Sequence, residues 1–256
     1  MKSNGGGSTR NAPRGLANRD DRVPPAITPA MQTILEIDAL NHRFGDHVVL
    51  TNIDLGASAG ERIAILGPNG SGKTTLLRCI AGTVTPTAGS IRIAGHRAGS
   101  LEARDLTGVS LSQERSFYLR LSGRENLLLF ARLNGLGKRA AAERVDELAE
   151  ELELSELLTQ RADRCSSGQL QQLAFARALV GGPGLVLLDE PTRSLDVEAR
   201  ARLWAALARR PLVAAVIATH LDEDVGHATS VVGLGGNENR DRGGAGDPLR
   251  LSGGDS

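Results

Sequence analysis

The sequence predicts an α/β fold built on a mainly parallel sheet. Three stretches carry that prediction. Arg62-Ile63-Ala64-Ile65-Leu66 is a short apolar run that leads through a glycine-rich segment into Leu76, Leu77 and Ile80, spaced for one face of a helix. Leu185–Leu188 is a continuous apolar run, the pattern of a parallel strand buried on both faces. Between them, residues 122–182 are helical in character.

The elements follow in order. Residues 1–31 are rich in Gly, Asn, Arg, Pro and Ser and are predicted to be a disordered tail. Ile34, Leu35 and Ile37 begin a strand, and Val48–Leu55 alternates as another. A turn at Ser58-Ala59-Gly60 precedes the strand at 62–66. Pro86-Thr87-Ala88-Gly89 reads as a turn, Ile91-Arg92-Ile93 as a strand, and Leu106–Leu111 as a further short strand. Ala141, Val145, Leu148 and Leu152 recur at helical spacing, and the acidic run Glu147–Glu153 reads as the solvated face of that helix. A second helix is expected over Gln169–Val180, stopped by Gly181-Gly182-Pro183-Gly184. Another is expected near Val197–Arg209, ending before Pro211. Leu212–Thr219 and Val231–Leu234 complete the strands, and residues 237–256 are expected to form a second disordered tail.

The bulk numbers set bounds. A chain of 256 residues with 40% hydrophobic and 23% charged content suits a globular α/β protein. Thirty basic side chains against thirty acidic ones give no general attraction to nucleic acid or to a membrane surface, and no nucleic-acid partner is expected. No apolar run approaches the ~18–20 residues that span a bilayer, and the polar N-terminus carries no secretory pattern. Cys79 and Cys165 are the only cysteines. Their spacing suits neither a metal site nor a disulfide framework, which fits a reducing compartment, and Cys79 reads as a buried core thiol.

The glycine-rich segment reads Gly67-Pro68-Asn69-Gly70-Ser71-Gly72-Lys73-Thr74-Thr75 and fits the P-loop pattern. Its glycines let the backbone bend so that successive N–H groups form an anion nest. The following helix adds its N-terminal partial positive charge. Lys73 would reach the β- and γ-phosphates, and the Thr74 hydroxyl would join the shell of a Mg²⁺ ion. Only three lysines occur among thirty basic residues, so a lysine here points to a need for a compact ammonium. Asp189 and Glu190 close the apolar run at 185–188, on the sheet edge where α/β ligands bind. Asp189 suits Mg²⁺, and Glu190 suits polarisation of a water that attacks the γ-phosphate.

The order P-loop, Gln113, Cys165-Ser166-Ser167-Gly168-Gln169, Asp189-Glu190, Ser194-Leu195-Asp196 and His220 resembles the ATP-binding cassette (ABC) ATPases. The intervals are 40 residues from Lys73 to Gln113, 53 to Ser166, 23 to Asp189 and 30 from Glu190 to His220. The resemblance spans roughly Ile34 to Leu234. It implies a P-loop NTPase core over residues 32–236, with an N-terminal antiparallel β subdomain and an inserted helical subdomain at about 116–182.

The resemblance also implies roles. Phe44 looks like the aromatic that stacks on adenine, although it could be simple core packing; the family more often has Tyr. Gln113 looks like the Mg²⁺ ligand that also reports the nucleotide state. Ser166, Ser167, Gly168 and Gln169 look like the signature segment, which binds the γ-phosphate of ATP held by the opposite subunit. That segment commonly reads Leu-Ser-Gly-Gly-Gln, so Cys165 and Ser167 are departures. Asp196 looks like a subunit-bridging residue and could equally be a helix N-cap. His220 looks like the switch histidine that contacts the γ-phosphate, beside Lys73 and Glu190 in the catalytic set.

The expected activity is therefore Mg-dependent ATP hydrolysis by a dimer of ATPase subunits. Such a dimer would drive a permease on another chain, from the cytoplasmic face of the cell membrane. Residues 114–127 and Pro191-Thr192-Arg193-Ser194-Leu195-Asp196 resemble bacterial exporters of drugs, antibiotics, lipids or polysaccharides. The alternatives are a permease-independent ABC ATPase and a nucleotide-binding regulatory subunit with little hydrolysis.

Overall fold

The structure, a computed structural model, describes residues 33–111 and 117–235. Gln113 and the two predicted tails lie outside the described residues.

Two sheets organise the chain. The first is four-stranded and antiparallel, in the order β2-β1-β4-β5: β1 is Thr33–Phe44, β2 His47–Ser58, β4 Ala88–Ile93 and β5 His96–Arg97. The second is five-stranded and parallel, in the order β6-β7-β8-β3-β9. Its strands are β3 Arg62–Leu66, β6 Thr107–Ser110, β7 Leu185–Asp189, β8 Ala214–Ala218 and β9 Ser230–Gly233. Helix α1 is Lys73–Ile80 and α2 Leu101–Asp105. A helical layer follows, of α3 Gly123–Leu133, α4 Lys138–Glu151, α5 Ser155–Thr159 and α6 Ser167–Val180. Among the described residues the remaining helices are α7 Val197–Ala208 and the single turn α8 Asp222–Val225.

Every residue of β7 and β8 is buried, as unbroken apolar runs require. Their side chains alternate between two cores. Val186, Leu188, Ala215 and Ile217 face a core shared with α4, α6 and α7. Leu185, Leu187, Ala214 and Val216 face the other, shared with α1, β3 and the antiparallel sheet. In α4, Ala141, Val145 and Leu148 are wholly enclosed, each of the larger two contributing about 1.5–3 kcal/mol by leaving water. Arg177 of α6 packs against both Phe117 and Phe130, its guanidinium 4.8 and 5.1 Å from the ring centroids, and burial pushes its pKa down to about 10.

Three details depart from the sequence reading. Glu151 is not part of a freely solvated face: its carboxylate takes Arg210 at 2.7 Å and Arg209 at 3.2 Å, joining α4 to the end of α7. Helix α6 begins at Ser167 rather than Gln169, because Ser166 caps it. Strand β8 begins at Ala214 rather than Leu212, because Val213 N–H closes a turn onto Arg210 O at 3.0 Å. Helices α2 and α8 and the short β5 were not foreseen.

Candidate functional site

The parallel sheet brings its strand ends to one edge. β3 ends in the P-loop, β7 in Asp189 and Glu190, and β8 in Thr219 and His220. These are the carboxyl ends of adjacent strands, the usual binding crevice of an open α/β sheet.

Gly72 is the N-cap of α1 with φ 98°, and a Cβ there would stand 2.9 Å from Leu50 Cδ2. A Cβ on Gly67 would stand 2.4 Å from Leu234 O and 2.5 Å from Ser71 Oγ, so this turn has no room for a side chain. Neither a side-chain cap nor a first-turn acid occupies the start of α1. Its N–H groups therefore remain available for an anion. Ser71 Oγ is buried without a hydrogen-bond partner. Lys73 is buried, and its ammonium donates to Gly67 O at 2.5 Å and Pro68 O at 3.1 Å. It is held along the loop it would serve.

Thr74 Oγ1 donates to Asp189 Oδ2 at 2.9 Å, joining α1 to the end of β7. Among the described residues no cluster of three or more His, Cys, Asp or Glu side chains could hold a metal alone. A hydroxyl beside one carboxylate does fit Mg²⁺ that arrives with phosphates, since that ion takes few protein oxygens and fills its shell with phosphate and water.

Glu190 adopts φ 50°, a left-handed conformation that costs a non-glycine residue roughly 1–3 kcal/mol. Its N–H donates to Ala218 O at 2.8 Å, which ties the ends of β7 and β8. His220 Nδ1 lies 2.8 Å from Oε1 and 2.7 Å from Oε2 of Glu190. The ring nitrogen thus lies against both carboxylate oxygens, and Oε2 is buried. His220 itself is about half exposed, and the contact it makes is with Glu190.

Phe44 is 52% exposed, which removes simple core packing as its role. The buried ring of His42 meets it edge-on, with centroids 4.5 Å apart. Neither nitrogen of His42 has a partner.

Ser166–Gln169 lies at the start of α6. Ser166 Oγ accepts Gln169 N–H at 3.2 Å, and Gln169 Oε1 accepts Ser166 N–H at 2.9 Å, a capping box. Ser167 is exposed, so its extra Cβ meets no obstacle. The tight position is Gly168, where a Cβ would stand 2.4 Å from Ser194 O. Asp196 is the N-cap of α7, accepting Ala199 N–H at 2.7 Å.

Sequence reasoning missed Thr192, Thr219 and Asp224. All three are buried, and Asp224 binds both threonine hydroxyls. Asp224 follows two other acids, Asp222 and Glu223, and no local signal singles it out.

A family model described as ABC transporter matches residues 50–193. The chain belongs to the ABC transporter family. Among its relatives, the daunorubicin resistance ATP-binding protein DrrA3 of Streptomyces coeruleorubidus is 37% identical over 174 residues, covering 67% of this chain and 55% of that protein. The Nod factor export ATP-binding protein I of Cupriavidus metallidurans is 37% identical over 179 residues, covering 69% and 59%. The spermidine/putrescine import ATP-binding protein PotA of Chromobacterium violaceum is 33% identical over 198 residues, covering 77% and 55%. The ABC chain thus spans between 55% and 59% of the length of these relatives. Among solved structures, a dimeric post-hydrolysis state of the ATP-binding cassette MJ0796 with ADP and Pi matches with TM-score 0.71 at 25% identity, covering 78% of this chain and 94% of that one.

Proposed function

We propose that this chain is the ATP-binding and ATP-hydrolysing subunit of an exporter, driving a membrane permease encoded on another chain. The observation that carries the reading is the convergence at one sheet edge of Thr74 with Asp189 and of Glu190 with His220. The P-loop N–H groups and the start of α1 would hold the phosphates. Lys73 would exchange its loop carbonyls for β- and γ-phosphate oxygens, and Phe44 would stack on the adenine. Thr74 and Asp189, with Gln113, would hold Mg²⁺, which when bound offsets charge on the transferring phosphoryl group. The Glu190 carboxylate, held against His220 Nδ1 at 2.7–2.8 Å, would polarise the attacking water.

Ser166–Gln169 and Asp196 would act across a subunit boundary, on ATP held by a second ATPase subunit. A short polar helix start adjoining the Ser194–Asp196 loop supports that reading. Among the described residues no helix is long and apolar enough to cross a membrane. The proposed location is cytoplasmic, peripheral on the inner face of the cell membrane. Relatives named for drug resistance and Nod factor export favour export over import. The test is to tag the Glu190→Gln form, extract native membranes in detergent with Mg-ATP, and identify its companions. A multi-span membrane protein at near-equal stoichiometry supports the reading, and its genetic loss should abolish efflux. Recovery without any membrane protein overturns it, and loss of uptake instead of efflux overturns the direction.

A further inference from the structure

Asp224 carries no exposed surface, yet both of its oxygens are engaged. Oδ1 accepts from Thr192 Oγ1 at 2.6 Å, and Oδ2 accepts from Thr219 Oγ1 at 2.7 Å. Thr219 Oγ1 accepts in turn from Leu221 N–H at 3.1 Å. Both threonines are wholly buried. Thr192 follows Glu190 by two residues, and Thr219 immediately precedes His220. One carboxylate therefore grips the chain just beyond Glu190 and just before its partner histidine.

Packing alone would not select an acid here, because burying a carboxylate is costly unless its lone pairs are met. This one is met by two hydroxyls that report to two different strand ends. Its own turn, α8, is anchored on α7 from both sides. Glu223 pairs with Arg200, and His227 stacks on Trp204 with centroids 4.5 Å apart. Glu190 meanwhile sits in a left-handed backbone conformation that its surroundings must hold.

We propose that Asp224 is a positioning residue for ATP hydrolysis: by clamping Thr192 to Thr219 it fixes the strained Glu190 against His220. The inference rests on the reading that Glu190 polarises the attacking water. Asp224 touches neither nucleotide nor water and acts through that pair.

The experiment is a cycle of Asp224→Asn, His220→Ala and the double variant. kcat and KM are measured per chain that binds ATP, so that misfolded protein does not count. The expected result is a loss in kcat on the order of tenfold or more for Asp224→Asn, with KM for ATP nearly unchanged. In the His220→Ala background most of that loss should vanish, because the partner to be positioned is gone. An equal loss in both backgrounds, or none in either, overturns the proposal. Thr192→Val and Thr192→Ser give a second test that does not depend on Asp224 folding or on His220. Serine keeps the hydroxyl and should retain kcat, while valine should lose it; equal behaviour overturns the proposal. A wild type that binds ATP without turnover would instead overturn the hydrolytic reading, a result distinct from an active wild type whose variants are additive.

Discussion

The Thr74 hydroxyl donates to the Asp189 carboxylate at 2.9 Å although 115 residues separate them in the chain. The bond spans the start of α1 and the end of β7, so it aligns the glycine-rich loop with a carboxylate oxygen. Thr74→Val should raise the Mg²⁺ concentration for half-maximal ATPase by roughly ten- to a hundredfold, as loss of a ligand-orienting group generally does. A magnesium titration of ATPase, with thermal melting as the control for folding, checks this.

Gly168→Ala should reduce hydrolysis far more than nucleotide binding. The new Cβ would press on Ser194 O at 2.4 Å and push α6 away from the Ser194–Asp196 loop. Overpacking of this kind costs about 1–3 kcal/mol. Ser167→Gly, at an exposed position one residue earlier, should change stability by less than about 1 kcal/mol. Denaturant unfolding of the two variants side by side makes the comparison.

The Glu151–Arg210 pair should make stability depend on acid pH. The hydrogen bond from Arg210, more than any other influence, holds the Glu151 carboxyl below its ordinary value, against the desolvation that opposes it. In acid the unfolded chain therefore takes up a proton at Glu151 that the folded chain refuses. The contribution is complete above the ordinary glutamate range, about 4.3, and is lost as the pH falls through the lower folded value. Glu151→Gln should cost about 1–3 kcal/mol at neutral pH. The gap to the wild type should narrow as the pH drops below about 4.3. Melting curves over that range test it, and a gap independent of pH would contradict it.

The two thiols should react unequally. Burial pushes Cys79 up to about 11, and its side chain has no exposed surface. Cys165 is half-buried, and its thiol is raised chiefly by desolvation and further by Asp163. Iodoacetamide on native protein should label Cys165 alone, faster as the pH rises, and both cysteines after denaturation. Peptide mapping reads the sites.

The α/β class, the P-loop pattern between β3 and α1, and the carboxylates that close the apolar run at 185–188 are all legible in the amino-acid order. Each of these is local: a glycine pattern, a period in hydrophobicity, or a charge at the end of a strand leaves its mark within a few residues. Family order added His220 and Ser166–Gln169. The helix over Gln169–Val180 was also legible from its apolar pattern, while its start at Ser167 depends on the Ser166 cap.

Which strand ends adjoin is set by the packing of the sheet. The order β6-β7-β8-β3-β9 puts β8 between β3 and β7, so His220 reaches Glu190 from thirty residues away. Packing also turns one acid of Asp222-Glu223-Asp224 inward to two threonine hydroxyls, and closes Glu151 onto α7. Such pairings depend on where distant segments are brought by packing, and a buried carboxylate looks like a solvated one until its hydrogen-bond partners are found.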